Sequence, residues 1–201
     1  MNKSEKAQKL DQLKSTCEKC FDCELGAMRT KSVFSDGNPN AKIMLIGEAP
    51  GQNEDETGIP FIGRAGKLLD ELFKAQGLTR EKDIYICNTV KCRPPNNRIP
   101  TETEKSQCRK YLEAQIEIMK PKIIILCGAT ALKSILGCKT PISKIRGEWF
   151  EHQSKAKVMP IFHPSYLLRN PSIKENSPKW LMMEDIKKIK NYYQTLCKDQ
   201  I

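Results

Sequence analysis

The residues with the clearest chemical potential in this sequence are cysteines. The chain holds nine of them, and Cys17, Cys20 and Cys23 form two overlapping Cys-x2-Cys units. Two thiolates at that spacing can face one metal centre, and four thiolates suit either a zinc ion or an iron–sulfur cluster. Cys92 and Cys108 are further candidates, although Cys108 alone also fits a buried helix position. The spacing leaves open which Cys-x2-Cys unit binds.

A second group of reactive side chains lies in the stretch 47–66, GEAPGQNEDETGIPFIGRAG. It contains five glycines, four carboxylates and one bulky aromatic residue, Phe61. Glycine lets a backbone N–H come close to a ligand, and loops of this length are often functional. A surface Ω-loop with no binding role is the alternative interpretation.

The elements that must position these residues follow from the hydrophobic pattern. Short apolar runs predict strands, whereas 3.6-residue periodicity between capping signals predicts helices. The predicted strands cover 42–46, 83–87, 122–126 and 157–162, and the predicted helices cover 1–19, 67–76, 101–120, 128–137 and 178–197. Thr101 and Glu104 are spaced as a capping box for the third helix. Residues 47–66 are expected to be a long polar loop.

Strands that alternate with helices indicate an α/β fold. We expect one domain over residues 1–201, with a central four-stranded, mainly parallel sheet flanked by helices. Ligands of such sheets bind at the carboxyl ends of the strands. Those ends carry Gly47-Glu48, Asn88 and His163. The sequence therefore predicts a binding site where these three segments converge.

Composition restricts the partner and the compartment. The net charge is +10 and the pI is about 9.1, which favours a polyanion, and nucleic acid before an anionic membrane because no amphipathic anchor is present. No run has the length of a membrane span, and the start MNKSEKAQKL has no signal-peptide core. We expect a cytoplasmic monomer without structural disulfides.

Taken together, four motifs resemble the family 4 uracil-DNA glycosylases, which carry a [4Fe–4S] cluster. The resemblance runs from Cys20 to the final helix. The motifs are Cys20-x2-Cys23-x-Leu25-x3-Arg29-Thr30, then Gly47-Glu48-Ala49-Pro50-Gly51 with Gly58-x-Pro60-Phe61-x-Gly63-Arg64-Ala65-Gly66, then Asn88-x2-Lys91-Cys92-Arg93-Pro94-Pro95-x-Asn97-Arg98, and finally His163-Pro164-Ser165-Tyr166-Leu167-Leu168-Arg169.

The resemblance implies a monofunctional glycosylase that hydrolyses the N-glycosidic bond of uracil in single- or double-stranded DNA and so initiates base excision repair. It implies a [4Fe–4S] cluster outside the sheet with a structural role. The implied ligands are Cys20, Cys23, Cys92 and Cys108, and Cys17 is then a spectator.

A glycosylase must flip its base into a pocket that stacks it and reads its Watson–Crick edge. Phe61 could stack on uracil, and the Asn88 amide could accept from N3–H and donate to O4, a pattern that cytosine reverses. His163 could donate to O2 as charge builds on the leaving base. The resemblance places Glu54 against uracil C5, where it would exclude the methyl group of thymine.

The resemblance also implies which residues position the attacking water and which contact the DNA. Ala49 stands where better-known uracil glycosylases have the aspartate that positions water, so backbone groups of Glu48 and Ala49 are expected to line the pocket while Glu48 or a neighbouring carboxylate orients the water. Leu167 resembles the wedge that fills the gap left by the flipped nucleotide. The candidate phosphate contacts are Arg93, Arg98 and Arg169.

Two other interpretations remain open: a nucleic-acid-binding module with a metal staple and no turnover, and a glycosylase for other deaminated bases. A nucleotide-phosphate enzyme is disfavoured because 47–66 lacks the Lys-Ser/Thr ending of a P-loop. A relative that traps uracil covalently would need a different first motif and an extra histidine-bearing loop, and the 93–100 loop, RPPNNRIP, has no histidine.

Overall fold

The sheet of the computed structural model, which describes residues 3–198, has six strands. Their bounds are β1 (Asp36–Gly37), β2 (Ile43–Gly47), β3 (Ile84–Asn88), β4 (Ile123–Cys127), β5 (Phe150–Glu151) and β6 (Lys157–Ile161). Their order across the sheet is β1-β3-β2-β4-β6-β5. The four inner strands are parallel, and the two-residue strands β1 and β5 pair antiparallel at the edges.

The four inner strands confirm the predicted parallel sheet. Strands β2, β3 and β4 are buried along their whole length, because helices cover both faces of the sheet and leave no solvent side. Continuous apolar runs such as Ile123–Leu126 are the sequence signature of that environment. The edge strands were not predicted, since two residues are too few to show alternation.

The helices form one layer on each side of the sheet. Their bounds are α1 (Lys3–Glu18), α2 (Leu25–Met28), α3 (Gln52–Thr57), α4 (Arg64–Ala75), α5 (Glu102–Met119), α6 (Ala129–Leu136), α7 (Ile142–Ile145), α8 (Pro164–Arg169) and α9 (Pro178–Lys198). Apolar residues of α1, α5 and α6 pack on Met44 and Ile46, whereas those of α4, α8 and α9 pack on the other face with Ile43 and Leu45. None of the described helices is long and apolar enough to cross a membrane.

Helix boundaries follow the predicted signals at most ends. Thr101 Oγ1 accepts from the Glu104 N–H at 3.2 Å and the Glu104 carboxylate accepts from the Thr101 N–H at 2.7 Å, which confirms the capping box. The predicted helices at 1–19 and 178–197 correspond to α1 and α9, although residues 1 and 2 lie outside the described range.

The stretch 47–66 departs from its prediction as an irregular loop, because α3 lies in its middle. This helix has only six residues, QNEDET, and all of them are polar, so no apolar periodicity announces it. Its second turn ends at Gly58, whose φ of 81° is the left-handed conformation that a glycine adopts easily. The helix divides the stretch into two short connections, one to β2 and one to α4.

Candidate active site and cysteine cavity

The predicted convergence of polar strand ends is present at one edge of the sheet. Gly47 and Asn88 are direct partners in the β2–β3 ladder. His163 follows β6 by two residues, and its ring centroid lies 5.9 Å from that of Phe61. The structure therefore brings Phe61, Asn88 and His163 together beside Gly47.

Gly47 leaves a space between an aromatic ring and an amide. A Cβ added there would lie 2.3 Å from Asn88 Oδ1 and 2.6 Å from Phe61 Cζ, so a larger residue would displace one of them. Asn88 is 2% exposed, and its Oδ1 has no hydrogen-bond partner among the described residues. A buried acceptor without a partner costs roughly 1–3 kcal/mol, which a ligand N–H would recover.

Phe61 has an unusual backbone for an aromatic residue. Its φ is 54°, in the left-handed region that costs a non-glycine residue about 1–3 kcal/mol, and it is 7% exposed. Gly66 permits this turn, since a Cβ at position 66 would lie 1.8 Å from the Phe61 carbonyl oxygen. The strain is tolerated because the surrounding chain fixes the loop, and an imposed conformation of this kind is typical of functional sites.

Glu54 is one of the groups that fix this loop. Its Oε1 accepts from the N–H groups of Ile62 at 3.0 Å and Gly63 at 2.8 Å, and its Oε2 accepts from the Gly51 N–H at 3.1 Å. Its predicted place against uracil C5 stays a prediction. The structure adds a second role, because the carboxylate holds the backbone immediately after Phe61.

The tautomer of His163 follows from the start of α8. Its Nδ1 accepts from the Ser165 N–H at 3.2 Å, and the Ser165 hydroxyl lies 2.7 Å from the same nitrogen. A neutral ring that accepts at Nδ1 carries its proton on Nε2, which is then a donor. Burial lowers the pKa of His163 to about 4, helped by the positive charge of Arg169 and opposed by Glu54. His163 is therefore a neutral hydrogen-bond donor at physiological pH.

Glu48 is held at both its backbone and its side chain. Its carbonyl oxygen accepts from Thr89 Oγ1 at 2.6 Å and from the Val90 N–H at 3.1 Å, which extends the β2–β3 pairing past the strand ends. Its carboxylate accepts from the hydroxyl of Thr130, in the first turn of α6. Ala49 follows it, partly buried. This carboxylate is the acidic side chain nearest in sequence to the Gly47 space.

The second candidate site is a cavity lined by cysteines. Its lining includes Cys17, Cys20, Cys23, Cys92 and Cys108, which come from the end of α1, the turn before α2, the loop after β3 and helix α5. All nine cysteines are free thiols. Among the described residues no group of three or more His, Cys, Asp or Glu side chains is arranged around a single metal ion.

Two hydrogen bonds point at the sulfurs of this cavity. Arg29 Nη1 donates to Cys92 Sγ at 3.0 Å, and the backbone N–H of Lys91 donates to Cys108 Sγ at 3.2 Å. Burial raises the pKa of Cys92, and it raises the pKa of Cys108 to about 11, while the nearby cations oppose both shifts. A metal binds thiolates, so donors aimed at sulfur fit a metal-ligating role for these two cysteines.

Comparison with known proteins agrees with this geometry. The model of the uracil DNA glycosylase superfamily matches residues 34–187. A Type-4 uracil-DNA glycosylase of Thermotoga maritima is 49% identical over 176 residues, 87% of this chain and 90% of the relative. This chain belongs to the type-4 uracil-DNA glycosylases.

Other relatives mark the breadth of the match. The Type-4 uracil-DNA glycosylase of Sulfurisphaera tokodaii is 42% identical over 189 residues, 90% of this chain and 83% of the relative. A Type-5 uracil-DNA glycosylase of Pyrobaculum aerophilum is 32% identical over 148 residues, 65% of this chain and 64% of the relative. The type-4 relatives thus cover more of the chain, and at higher identity, than this type-5 relative does.

In this type-4 chain, helix α8 exposes a different leucine from the one that the sequence predicts. Leu167, the predicted wedge, is 1% exposed and packs in the core with α4 and α9, whereas Leu168 is 39% exposed. Arg169 is exposed at the end of the same helix. In this conformation the Leu167 side chain lies in the core, and Leu168 is the leucine that α8 presents to solvent.

The other predicted phosphate contacts lie in the loop before α5. Arg98 makes two bonds to the Glu104 carboxylate, at 2.6 and 2.8 Å, and its side chain is still 41% exposed. Arg93 donates to Asn97 Oδ1 at 2.8 Å. A phosphate would therefore share Arg98 with Glu104, while Arg169 has no carboxylate partner to give up among the described contacts.

Sequence reasoning gave no role to several residues that the structure places at the sites. Lys91 is completely buried and donates from Nζ to the Asn88 carbonyl at 2.7 Å and to Gln115. Asp55, 5% exposed, accepts from the Thr30 N–H at 3.0 and 3.1 Å. Lys91 and Thr30 belong to the motifs quoted above, and that position in a motif was the sequence signal that could have indicated a role. Nothing in the sequence marks the hydroxyl of Thr130.

Proposed function

We propose that this protein excises uracil from DNA by hydrolysing the N-glycosidic bond, as a monofunctional glycosylase that acts as a monomer and initiates base excision repair. The observation that carries the proposal is the unpartnered Asn88 Oδ1, buried against Phe61 at the space left by Gly47. Flipped uracil supplies the N–H that this oxygen lacks, and its flat ring suits the aromatic side chain. The +10 charge favours the DNA partner.

The chemistry follows from three groups. Phe61 stacks on the uracil ring, and the Asn88 amide accepts from N3–H and donates to O4. His163 donates from Nε2 to O2, where negative charge develops as the N1–C1′ bond breaks and its electron pair moves onto the base. Water adds to C1′. A neutral histidine can stabilise the departing uracil anion without giving up its proton.

The attacking water is positioned by residues 48–49, where Ala49 stands in place of the aspartate of other uracil glycosylases. Backbone groups of Glu48 and Ala49 line the pocket, and the Glu48 carboxylate, oriented by Thr130, directs the water and takes its proton. A Glu48→Gln variant with an unchanged single-turnover rate would remove Glu48 from this role. Glu54 excludes the thymine methyl, and a Glu54→Ala variant that still ignores thymine would argue against that assignment.

The cysteine cavity would hold a [4Fe–4S] cluster through Cys20, Cys23, Cys92 and Cys108, with Cys17 a spectator. The donor set fits, because four thiols from three segments line one cavity and two N–H donors already point at sulfur. When bound, the cluster supplies a covalent crosslink among these segments. Hydrolysis of an N-glycoside requires no electrons, so the proposed role is structural.

DNA would be held by Arg93, Arg98 and Arg169 at phosphates, with α8 against the vacated base step. These phosphate contacts predict how the affinity for DNA depends on salt concentration. Each phosphate contact that is removed should lower the dependence of binding on salt concentration by about one unit of slope, without altering base preference. An Arg169→Gln variant with an unchanged salt slope would remove that residue from the interface.

The deciding experiment uses oligonucleotides that carry one uracil, thymine or cytosine, followed by alkali cleavage at abasic sites. We expect cleavage at uracil alone. Asn88→Ala should reduce the single-turnover rate by about 10³-fold, because two hydrogen bonds to the base are lost and a desolvated edge stays unpaired. DNA binding without cleavage by the wild-type protein would favour a binding module. Cleavage at other deaminated bases as fast as at uracil would favour a broader glycosylase.

A further inference from the structure

We infer that Arg80 is a positioning residue that sets the orientation of Phe61, the ring proposed to stack on uracil. The predicted effect on uracil release rests on the proposed function, whereas the hydrogen bonds that hold Phe61 do not depend on that function. Arg80 lies in the connection between α4 and β3. Its side chain is only 11% exposed, and an arginine buried to this degree is normally paired with acidic groups.

The guanidinium holds two consecutive carbonyl groups of the stacking loop. Nη1 donates to the Pro60 oxygen at 3.1 Å and Nη2 donates to the Phe61 oxygen at 3.0 Å. The Pro60 carbonyl belongs to the peptide group before the Phe61 Cα, and the Phe61 carbonyl belongs to the one after it. Arg80 therefore fixes both peptide planes that flank Phe61.

Glu54 completes this constraint from the other side. Its Oε1 accepts from the Ile62 N–H, which belongs to the same peptide group as the Phe61 carbonyl, and from the Gly63 N–H. Two held peptide planes leave little freedom in φ and ψ of the residue between them. The direction of the Cα–Cβ bond, and with it the placement of the Phe61 ring, is thereby determined.

Two carboxylates hold the guanidinium itself. Asp36 Oδ2 accepts from Nη1 at 2.7 Å, and Asp70 accepts from Nη2 at 2.8 and 2.9 Å and from Nε at 3.2 Å. Asp36 lies in β1 and Asp70 in α4, so the arginine is anchored to the sheet edge and to the helix after the loop. This arrangement uses the flat, forked donor set of arginine, which a lysine ammonium cannot reproduce.

The left-handed backbone of Phe61 explains why such a clamp is required. At φ 54° this residue would relax toward an ordinary conformation if its flanking peptides were released. Relaxation would turn the ring away from Gly47 and Asn88. Because a misplacement of about 1 Å at a reacting geometry can cost about 100-fold in rate, loss of the clamp should reach the chemistry although Arg80 touches no base.

The test compares Arg80→Gln with Arg146→Gln. Arg146 is a matched control because its side chain is 13% exposed and also pairs with a carboxylate, Asp185, but binds α9 instead of the stacking loop. Both variants should lose thermal stability. Only Arg80→Gln should slow uracil release in single turnover, by about 10- to 100-fold, and only it should speed hydrogen exchange at the Ile62 and Gly63 amides.

Arg80→Lys separates charge from geometry. It keeps a cation between Asp36 and Asp70 but cannot hold both carbonyls, so we expect a folded protein with a reduced rate and weaker amide protection. If Arg80→Gln fails to fold, Arg80→Lys still tests the inference. A wild-type rate and wild-type protection in Arg80→Lys would overturn the inference. If the wild-type protein releases no uracil, the proposed function fails, and the exchange comparison still decides whether Arg80 holds the loop.

Discussion

The pocket at Gly47 and the cysteine cavity are built in opposite ways. The pocket uses the ends of neighbouring strands, and Gly47 and Asn88 are partners in one ladder, so the backbone of the sheet sets their separation. The cavity draws Cys20 and Cys23 from a turn, Cys92 from a loop and Cys108 from α5. The hydrogen bonds that reach these sulfurs come from Arg29 and from the Lys91 backbone.

The difference predicts where substitutions will act. A ladder of parallel strands keeps its geometry when one side chain at its end is replaced, so pocket substitutions should change rates more than stability. The cysteine cavity joins segments that no strand connects, so its substitutions should change stability first. Metal binding to such a site is itself a contribution to folding free energy.

The two regions nevertheless touch. Lys91 joins them directly, since its backbone N–H reaches Cys108 and its ammonium reaches the Asn88 carbonyl. A second link runs from the Thr30 N–H to Asp55, which neighbours Glu54 in α3. Disturbance of the cavity can therefore reach both walls of the pocket through these two links.

The largest expected effect is on stability and comes from Cys108→Ser. This variant should lose the visible absorbance of an iron–sulfur cluster and melt about 10 °C or more below the wild type, because several kcal/mol of crosslinking are lost. Absorbance spectra and thermal melts of anaerobically purified protein measure both quantities.

Cys17→Ser is the matched control for Cys108→Ser. Cys17 lines the same cavity and is 1% exposed, so its replacement also buries a hydroxyl. It should melt a few degrees lower, in keeping with a cost of about 1–3 kcal/mol, and keep its absorbance. Bleaching of Cys17→Ser beside an intact spectrum for Cys23→Ser would exchange the two ligand assignments.

The next largest effect is on rate and comes from His163. Removal of one donor to a developing oxyanion costs about 10²- to 10³-fold, so His163→Ala should slow uracil release by that factor and leave the cluster spectrum unchanged. Single-turnover assays and absorbance spectra check the two halves of this prediction. Bleaching of the His163→Ala protein would contradict the separation between the pocket and the cavity.

The dependence of the rate and of the stability on pH tests the same role of His163. Because the pKa of His163 is lowered to about 4, its neutral form persists well below pH 6.5, and the rate should show no step from this residue until the pH approaches 4. The unfolded chain takes up a proton near pH 6.5. The stability that His163 contributes is thus complete above pH 6.5 and is lost as the pH falls toward 4. Melting profiles of the wild-type and His163→Gln proteins test the effect on stability. Rate profiles of the wild-type, His163→Gln and His152→Gln proteins test the effect on catalysis, and His152→Gln, which replaces the other of the two histidines, should keep the wild-type rate profile.

The sequence predicted most of the sheet and the position of the site. Buried strands such as Ile123–Cys127 are continuous apolar runs, and a capping box such as Thr101 with Glu104 is local, so both can be read without tertiary information. The same holds for polar residues at strand ends, because parallel topology brings those ends together. The position of Asn88 beside Gly47 could be predicted for that reason.

Other features depend on tertiary contacts that no local pattern records. Arg80 reaches Phe61 across 19 positions, and Thr130 reaches Glu48 across 82. The short helix α3 is stabilised by carboxylates that bind backbone groups elsewhere, so its polar sequence resembles that of a loop. The burial of Leu167 depends on how α8 packs against α4 and α9, which neither spacing nor motif specifies.

The smallest expected effect distinguishes the two leucines of α8. Leu168→Ala removes an exposed side chain, so its melting temperature should equal that of the wild type while its rate on duplex DNA falls up to about tenfold, because a wedge offsets part of the unstacking cost. Its rate on single-stranded DNA should be unchanged. Leu167→Ala empties a core position and should cost about 2–5 kcal/mol of stability, with both substrates affected alike. A Leu167→Ala protein that is stable yet slow only on duplex DNA would restore Leu167 as the wedge and require α8 to turn on binding. The rates on the two substrates, together with the stability of the two variants, therefore decide which leucine enters the duplex, because a buried side chain cannot serve as a wedge without first leaving the core.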